Sequence, residues 1–257
     1  MENIKIALLE YDIVWENPQA NFDLINQILL GVEADVFLLP EMFSTGFTMN
    51  PSQYAEEFCG ISFQFLQEKA IEKNAAFAGS VPTKISHQYF NRLYWTDPNE
   101  TFAFYDKRHM FSLAKENEEY TAGKDRKLIE FRGWKFMPQI CYDLRFPVWS
   151  RNNLQYDVVF YLSNWPERRS YPWTQLLKAR AIENLSYCIG VNRIGKDNNG
   201  IMHSGDSMVY DPLGFACEFF QPHEHIMIFE INKEILHKTR EKFKFLEDKD
   251  DFSLIIP

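Results

Sequence analysis

Residues 136–147 read FMPQICYDLRFP, and they contain the transition on which the fold prediction rests. An apolar run typical of a buried β-strand stops at Cys141, and Asp143, Arg145 and Pro147 follow directly. This pattern predicts a strand that ends in a sharp turn. Such a turn would hold the Cys141 thiol at the rim of a β-sheet.

Two other predicted strands also end at a charged residue. Residues 36–40, VFLLP, run into Glu41, and residues 102–106, FAFYD, run into Lys107. A thiol, a carboxylate and an ammonium at one sheet edge would supply a nucleophile, a proton carrier and an oxyanion stabiliser. Acyl transfer from an amide requires these three groups.

Each of these residues also has a plainer interpretation. A lone cysteine at a strand end is more often structural than catalytic, Lys107 belongs to a basic cluster, and Glu41 opens a loop. The charged residues that follow Cys141 disfavour a simple core role for its thiol. Glu41 lies in an apolar neighbourhood, where a carboxylate needs a partner or a function.

Composition limits the classes of protein to consider. The 257 residues are 46% hydrophobic and 16% aromatic, which predicts one packed domain over 1–257 with a C-terminal tail over about 244–257. A net charge of −9 argues against a nucleic-acid partner. The four cysteines are far apart and form no metal-ligand spacing, so we expect no metal, no cofactor and no disulfide framework. The N-terminus, from Met1 and Glu2 onward, resembles no leader or membrane anchor, so we expect a cytoplasmic protein without membrane contact.

Strand-like and helix-like segments alternate, which predicts an α/β fold with mixed sheets covered by helices. Helices are predicted over residues 17–32, 62–74, 173–185 and 232–243. Strands are predicted over 4–9, 35–39, 75–81, 157–162, 187–192 and 225–231, and hairpins over 89–96 with 101–106 and 207–211 with 215–219. Residues 34–41 and 156–164 resemble each other as Asp-led strands with polar ends. We interpret this as a repeated strand pattern, with two similar halves as the alternative.

Three motifs, in order, resemble the nitrilase superfamily of carbon–nitrogen hydrolases. They are LPEMFSTGF at 39–47, YDKRH at 105–109 and ICYDLRFP at 140–147. The resemblance extends over nearly the whole chain, with further marks at 163–166, 180–184, 192–193 and 205–207. It implies a four-layer α-β-β-α sandwich with two mixed β-sheets, which commonly pairs into a homodimer.

The resemblance also implies residue roles. Cys141 would attack the amide carbon, Glu41 would carry protons, and Lys107 with the Tyr142 backbone N–H would stabilise the oxyanion. Many members have a second glutamate after the lysine. Glu116, Glu118 and Glu119 are candidates, and counting back from Ala122-Gly123 favours Glu116.

Residues 105–111, 141–151 and 164–166 look most like the bacterial omega-amidase branch. This implies hydrolysis of the terminal amide of small carboxylated substrates such as 2-oxoglutaramate. Arg145 and Arg193 are candidates to receive the substrate carboxylate. For Arg145 the alternative is an ion pair with Asp143 or Glu183.

Phe43, Trp165 and Tyr142 are candidate pocket walls, with core packing as the alternative. His109 is interpreted as a structural neighbour of Lys107 and His203 as a hydrogen-bonding loop residue, because the resemblance gives the base role to Glu41. The competing functions are another superfamily amidase, a carbamoylase or a nitrilase. A non-catalytic protein that keeps the fold is a third class, and an intact Glu41, Lys107 and Cys141 argues against it.

Overall fold

Two β-sheets dominate the computed structural model, which describes residues 3–256. Met1 and Glu2 of the predicted N-terminal stretch and Pro257 of the predicted tail lie outside the described residues. The first sheet has eight strands in the order β14-β15-β1-β2-β4-β5-β6, with β3 paired to β4. Its strands are β1 Ile4–Leu9, β2 Val36–Leu38, β3 Glu56–Glu57, β4 Ala76–Ile85, β5 Gln88–Thr96, β6 Phe102–Asp106, β14 Phe219–His223 and β15 Ile226–Ile231.

The second sheet has five strands in the order β13-β10-β9-β8-β7, and β11 and β12 form a separate hairpin. The strands are β7 Ile129–Phe131, β8 Trp134–Ile140, β9 Val158–Ser163, β10 Tyr187–Asn192, β11 Ile194–Lys196, β12 Met202–Ser204 and β13 Met208–Tyr210. Both large sheets contain parallel and antiparallel pairs, as the sequence predicted.

Three long helices cover the outer faces of the sheets: α1 Pro18–Ile28 and α3 Ile61–Lys73 on the first sheet and α6 Ser170–Asn184 on the second. The other helices are α2 Pro51–Tyr54, α4 Glu116–Glu119, α5 Pro147–Ser150 and α7 Lys233–Lys242, and Leu236 of α7 packs into the cluster between the sheets. Short 3-10 helices cover Ser112–Ala114, Cys141–Arg145 and Glu167–Arg169.

Alternation along the strands builds the layers. In β1, Ile6 and Leu8 enter the cluster between the two sheets, whereas Ala7 and Leu9 face the cluster under α1 and α3. On the other side, α6 packs on the second sheet through a third cluster. Its approach to β10 requires Gly190, because a Cβ there would lie 2.4 Å from Leu177 Cδ1. The four-layer α-β-β-α sandwich is therefore confirmed.

Most predicted elements are found within a few residues of their predicted bounds. The helix predicted over 17–32 begins after its N-cap, Asn17, but ends at Ile28, because Leu29–Gly31 turn and Gly31 has φ +70°. The strand predicted over 215–219 is not continuous. Ala216 bridges Tyr210 and the Cys217 N–H donates to the Val209 carbonyl across the predicted turn, but only Phe219 of the segment belongs to a strand. β14 instead starts at Phe219 and pairs with β15.

Candidate active site

The three strand ends singled out in the sequence meet at one place. Glu41 follows β2 and Lys107 follows β6, both in the first sheet, whereas Cys141 follows β8 in the second. The site therefore lies where the two sheets come together. Glu116, at the start of α4, is the fourth member.

Lys107 is held between two carboxylates. Its Nζ donates to Glu41 Oε1 at 2.8 Å and to both Glu116 oxygens at 2.9 Å. The side chains of all three residues have zero solvent exposure. Burial opposes the charge on Lys107, but the carboxylates of Glu116 and Glu41 prevail and raise its pKa above the usual value. Lys107 therefore stays an ammonium ion at every physiological pH.

The glutamates are fixed by further donors. Asn91, on β5, donates from Nδ2 to Glu41 Oε1 at 2.8 Å and to Glu116 Oε1 at 3.3 Å. The backbone N–H of Phe111 donates to Glu116 Oε2 at 2.6 Å. Burial raises the pKa of Glu116, although Lys107 opposes the rise. Asn91 was missed in the sequence, since nothing near it along the chain marks an asparagine in a hairpin strand as a site residue.

The two Asp-led strands that resemble each other end face to face at this site. β2 leads to Glu41 and β9 leads to Asn164, and the Asn164 backbone N–H donates to Glu41 Oε2 at 2.9 Å. The Asn164 side-chain amide also donates to the Glu41 carbonyl. The two strands lie in different sheets, and their polar ends join the sheets at Glu41.

Cys141 begins the 3-10 helix over 141–145 with φ +42°, in the left-handed region. This conformation turns the chain sharply at the strand end, as the sequence predicted. Burial raises the pKa of the Cys141 thiol, and the nearby Glu41 carboxylate raises it further against the effect of Lys107. The resting thiol therefore keeps its proton.

Cys141 opens into a cavity of about 490 Å³. Tyr142, Arg145 and Trp165, three of the four predicted substrate-binding residues, line it. The remaining lining residues come from several loops and the β11–β12 hairpin: Phe47, Met49, Phe111, Leu113, Ala114, Asn164, Pro166, Arg168, Arg169, Asp197, Asn199, Ile201 and His203.

The prediction of Phe43 as a pocket wall is wrong. Its ring lies in the layer between the first sheet and its helices, with ring centroids 6.3 Å from Phe22 and 6.4 Å from Phe65. Phe47, in the same motif, lines the cavity instead, and Lys107 Nζ lies 5.1 Å from its ring centroid.

The two candidate arginines differ. Arg193 is fully buried, is bound to Asp12 and does not line the cavity, so it offers no surface to a substrate. Arg145 lines the cavity, with its guanidinium 4.9 Å from the Trp165 ring centroid. Its proposed ion-pair partners are engaged elsewhere, since Asp143 binds His109 and Glu183 binds Arg180.

Arg168 and Arg169, which the sequence analysis missed, add two more cations at the cavity mouth. Burial lowers the pKa of Arg169, and the neighbouring Arg168 and Arg145 guanidinium groups lower it further. Among residues 3–256, no carboxylate lies within 4 Å of Arg145, Arg168 or Arg169. Asp197, also on the cavity wall, accepts from the backbone N–H groups of Asn199 and Ile201.

The two histidines have different surroundings. His109 lies behind the site, where its ring bonds Asp143. His203 lines the cavity, its Nδ1 lies 3.1 Å from the Ile201 carbonyl oxygen, and burial lowers its pKa. Neither His109 nor His203 is hydrogen-bonded to Glu41, Lys107 or Glu116 within the described chain.

Comparisons with known proteins agree with this geometry. The sequence model described as carbon-nitrogen hydrolase matches residues 5–241. The chain is 42% identical to omega-amidase YafV of Escherichia coli K12 over 99% of this chain and 100% of that protein. It is 31% identical to 2-oxoglutaramate amidase of Bacillus subtilis, over 95% of this chain and 96% of that protein.

Among solved structures, XC1258 from Xanthomonas campestris superposes with a TM-score of 0.95 at 36% identity. The match covers 99% of this chain and 100% of that one, and XC1258 is described as a CN-hydrolase superfamily protein with an arsenic adduct in its active site. No helix in residues 3–256 combines the length and apolar character that a membrane crossing requires.

Proposed function

The chain belongs to the nitrilase superfamily of carbon–nitrogen hydrolases, and from this we propose that it is an omega-amidase. It would release ammonia from the terminal amide of a small carboxylated substrate such as 2-oxoglutaramate. One observation carries the proposal: an ammonium shared by two buried carboxylates lies beside a cysteine that opens into a cavity with cations at its mouth.

The first half-reaction forms a thioester. Cys141 Sγ attacks the amide carbon while its proton passes to Glu41, because a thiol with a raised pKa cannot supply a free thiolate in advance. Negative charge develops on the amide oxygen, where the Lys107 ammonium and the Tyr142 N–H stabilise it. Glu41 then returns the proton to nitrogen, the C–N bond breaks, and ammonia leaves.

The second half-reaction restores the enzyme. Water attacks the thioester carbon and gives a proton to Glu41, and the oxyanion again lies against Lys107. When the C–S bond breaks, Cys141 recovers its proton and the carboxylic acid product departs. Glu41 thus acts as base and acid in each half-reaction, which requires a carboxylate whose place is fixed by several donors.

Glu116 serves this chemistry through Lys107. It holds Nζ with both carboxylate oxygens, while Asn91 links it to Glu41. We assign it the role of orienting the ammonium toward the developing oxyanion. It also balances the charge of the Lys107 ammonium, whose side chain is fully buried.

The cations at the mouth indicate the substrate class. Arg145, Arg168 and Arg169 would bind the far carboxylate of the substrate, since a guanidinium pairs with a carboxylate through two parallel hydrogen bonds. Arg145 is the principal candidate, because it is four residues from Cys141 and lies over Trp165. Tyr142 and Trp165 would pack on the short carbon chain between the two ends.

A reactive cysteine functions only while reduced, and all four cysteines are unpaired. We therefore place the activity in a reducing compartment such as the cytoplasm. We further propose that the enzyme is a homodimer. The exposed Ile255 next to the docked Leu254 and Ile256 supports a mate near the tail.

A panel of substrates of matched length tests the function. Ammonia release should be fastest, by kcat/KM, for 2-oxoglutaramate, slower for the corresponding neutral amide, and absent in Cys141→Ala. Greater kcat/KM for a nitrile or an N-carbamoyl amino acid would assign the chain to another activity of the superfamily. No turnover of any of these, without trapping of a thioester, would leave a non-catalytic protein.

A further inference from the structure

A fully buried carboxylate behind the site gathers donors from two segments of the chain. Asp143 Oδ2 accepts from the Tyr105 hydroxyl at 2.7 Å and from the Ile140 backbone N–H at 3.0 Å. Asp143 Oδ1 accepts from the His109 backbone N–H at 2.9 Å and lies 2.8 Å from His109 Nδ1. A buried carboxylate with such contacts is fixed in place on both of its oxygens.

These two segments carry the reacting groups. Ile140 directly precedes Cys141, and Tyr105 and His109 lie two residues before and after Lys107. The Cys141 segment leaves the second sheet and the Lys107 segment leaves the first. The Asp143 carboxylate therefore joins the nucleophile and the ammonium across the two sheets without touching either.

The backbone conformation of Cys141 also requires support from neighbouring groups. A non-glycine residue at positive φ is strained and persists only where its surroundings hold it. The hydrogen bond from the Ile140 N–H to the Asp143 side chain spans Cys141. It closes the turn around Cys141, whose backbone lies in the left-handed region.

A second layer holds the partners of Asp143. The Tyr105 hydroxyl also accepts from Trp149 Nε1 at 3.0 Å, and the His109 ring stacks on Phe146 at a centroid distance of 3.7 Å. Burial raises the pKa of Tyr105 well above its usual value, and the Asp143 carboxylate raises it further, so Tyr105 remains a donor. This packing leaves the carboxylate little freedom to move.

We propose that Asp143 is a positioning residue that sets the place of Cys141 Sγ relative to Lys107 Nζ. The inference rests on the proposed amidase function and concerns a residue outside the cavity. Its effect is on the chemical step, because the oxyanion must form within hydrogen-bond reach of an ammonium that cannot follow it. Displacement of a reacting group by about 1 Å can cost about 10²-fold in rate.

The first test is Asp143→Asn, which keeps the shape but turns an NH₂ toward groups that are themselves donors. We expect kcat to fall roughly 10- to 10²-fold, with KM for 2-oxoglutaramate close to that of the wild type. The alkylation of Cys141 by iodoacetamide at fixed pH should also become slower. This second measurement needs no substrate, so it tests the inference even if the proposed function fails.

A double-mutant cycle separates positioning from stability. Once Lys107→Met has removed the ammonium, its place relative to Cys141 no longer matters. Asp143→Asn should then cost much less in residual turnover than it does in the wild type. An equal cost in both backgrounds would overturn the proposal.

Asp157→Asn is the matched control. Asp157 is also a buried carboxylate that holds a backbone N–H, that of Lys135, but it lies at the opposite end of β9 from Asn164. This variant should lower the melting temperature and leave kcat per folded molecule unchanged.

Tyr105→Phe is the gentler variant, because it leaves the Asp143 carboxylate in place and removes only one of its donors, together with the acceptor of Trp149 Nε1 and the Arg108 N–H. Should Asp143→Asn fail to fold, a fall in kcat for Tyr105→Phe at unchanged KM supports the proposal. An unchanged kcat per folded molecule, in Asp143→Asn or, where that variant does not fold, in Tyr105→Phe, refutes it.

Discussion

Two charged regions near Cys141 differ in how their charges are paired. The floor is the buried cluster of Glu41, Lys107 and Glu116, and the mouth is the part of the cavity wall that carries Arg145, Arg168 and Arg169. On the floor, Lys107 lies within 3 Å of two carboxylates, and none of the three side chains is exposed. At the mouth, Arg145 and Arg169 lie over aromatic rings, and the described chain offers them no carboxylate within 4 Å. The ammonium of the floor is thus paired by carboxylates of the protein, whereas the arginines of the mouth have no such partner among the described residues.

This difference separates the expected effects of mutation. A charge removed from the floor leaves its partners buried and unpaired, so the chemical step suffers. A charge removed from the mouth leaves solvent in its place, so only the binding of an anionic substrate suffers. Changes in kcat should therefore mark the floor, and changes in KM should mark the mouth.

The largest effect should come from Cys141→Ala, which removes the proposed nucleophile and should abolish turnover while the fold is retained. Cys59→Ala and Cys217→Ala are matched controls, since these thiols are only partly buried and lie outside the cavity. Both should keep wild-type turnover. Appreciable turnover in Cys141→Ala would remove the thioester mechanism.

Glu41→Gln and Lys107→Met should follow. The first keeps the shape but loses the proposed proton carrier, a loss on the order of 10²–10⁴ in rate. The second removes the proposed oxyanion donor, worth roughly 10²–10³ in rate. Steady-state kinetics should place both losses in kcat. If a variant keeps more than about a tenth of wild-type kcat, its loss is far smaller than these ranges. The role of that residue would then be wrongly assigned.

Arg145→Gln should act on binding. A hydrogen bond to a charged group contributes about 1.5–3 kcal/mol, so KM for 2-oxoglutaramate should rise roughly 10- to 10²-fold. The neutral amide of the same length is the control, and its kcat/KM should not change. Arg168→Gln should have a smaller effect in the same direction, because Arg168 is exposed. If kcat/KM fell equally for both substrates, Arg145 would act in the chemical step and not in binding the substrate carboxylate.

The pH dependence of Cys141 alkylation tests, without any substrate, how burial and Glu41 affect the pKa of the thiol. Burial and the Glu41 carboxylate raise the pKa of Cys141, so its thiolate fraction should still be rising above pH 8.5, near where an ordinary thiol has its pKa. In Glu41→Gln one of these two causes is lost, and the curve should move to lower pH. A plateau below pH 8 in the wild type would contradict the raised pKa.

The sequence predicted the floor better than the mouth, for a physical reason. Glu41, Lys107 and Cys141 each follow a hydrophobic strand. Because the strands of a sandwich pack side by side, residues that end them can lie close together in the fold. Arg168 and Arg169 belong to a short 3-10 helix that no hydrophobic period marks. Phe43 and Phe47 occupy one motif, and only the twist of the loop decides which of them faces the cavity.

The smallest effect is expected from truncation of the C-terminal tail, which packs at the back of the Cys141 turn. Leu254 and Ile256 pack beside His109, Phe146 and Trp149, at the back of the Cys141 turn, whereas Ile255 between them is 94% exposed. Full burial of such a side chain contributes about 1.5–3 kcal/mol, and these two are only partly buried. Truncation after Asp251 should therefore lower the melting temperature by several degrees, since about 1 kcal/mol corresponds to 2–4 °C in a domain of this size.

Point variants separate docking within the subunit from docking on a mate. Leu254→Ser and Ile256→Ser should each reproduce part of the loss in melting temperature. Ile255→Ser is the matched control, and it should leave the melting temperature of a monomer unchanged. If instead Ile255→Ser shifts the mass measured by light scattering toward the monomer, Ile255 is covered by the partner subunit in the proposed homodimer. Unchanged melting and unchanged mass after truncation would show that the tail supports neither the floor nor the dimer, because side chains that stabilise a fold cannot be removed without cost.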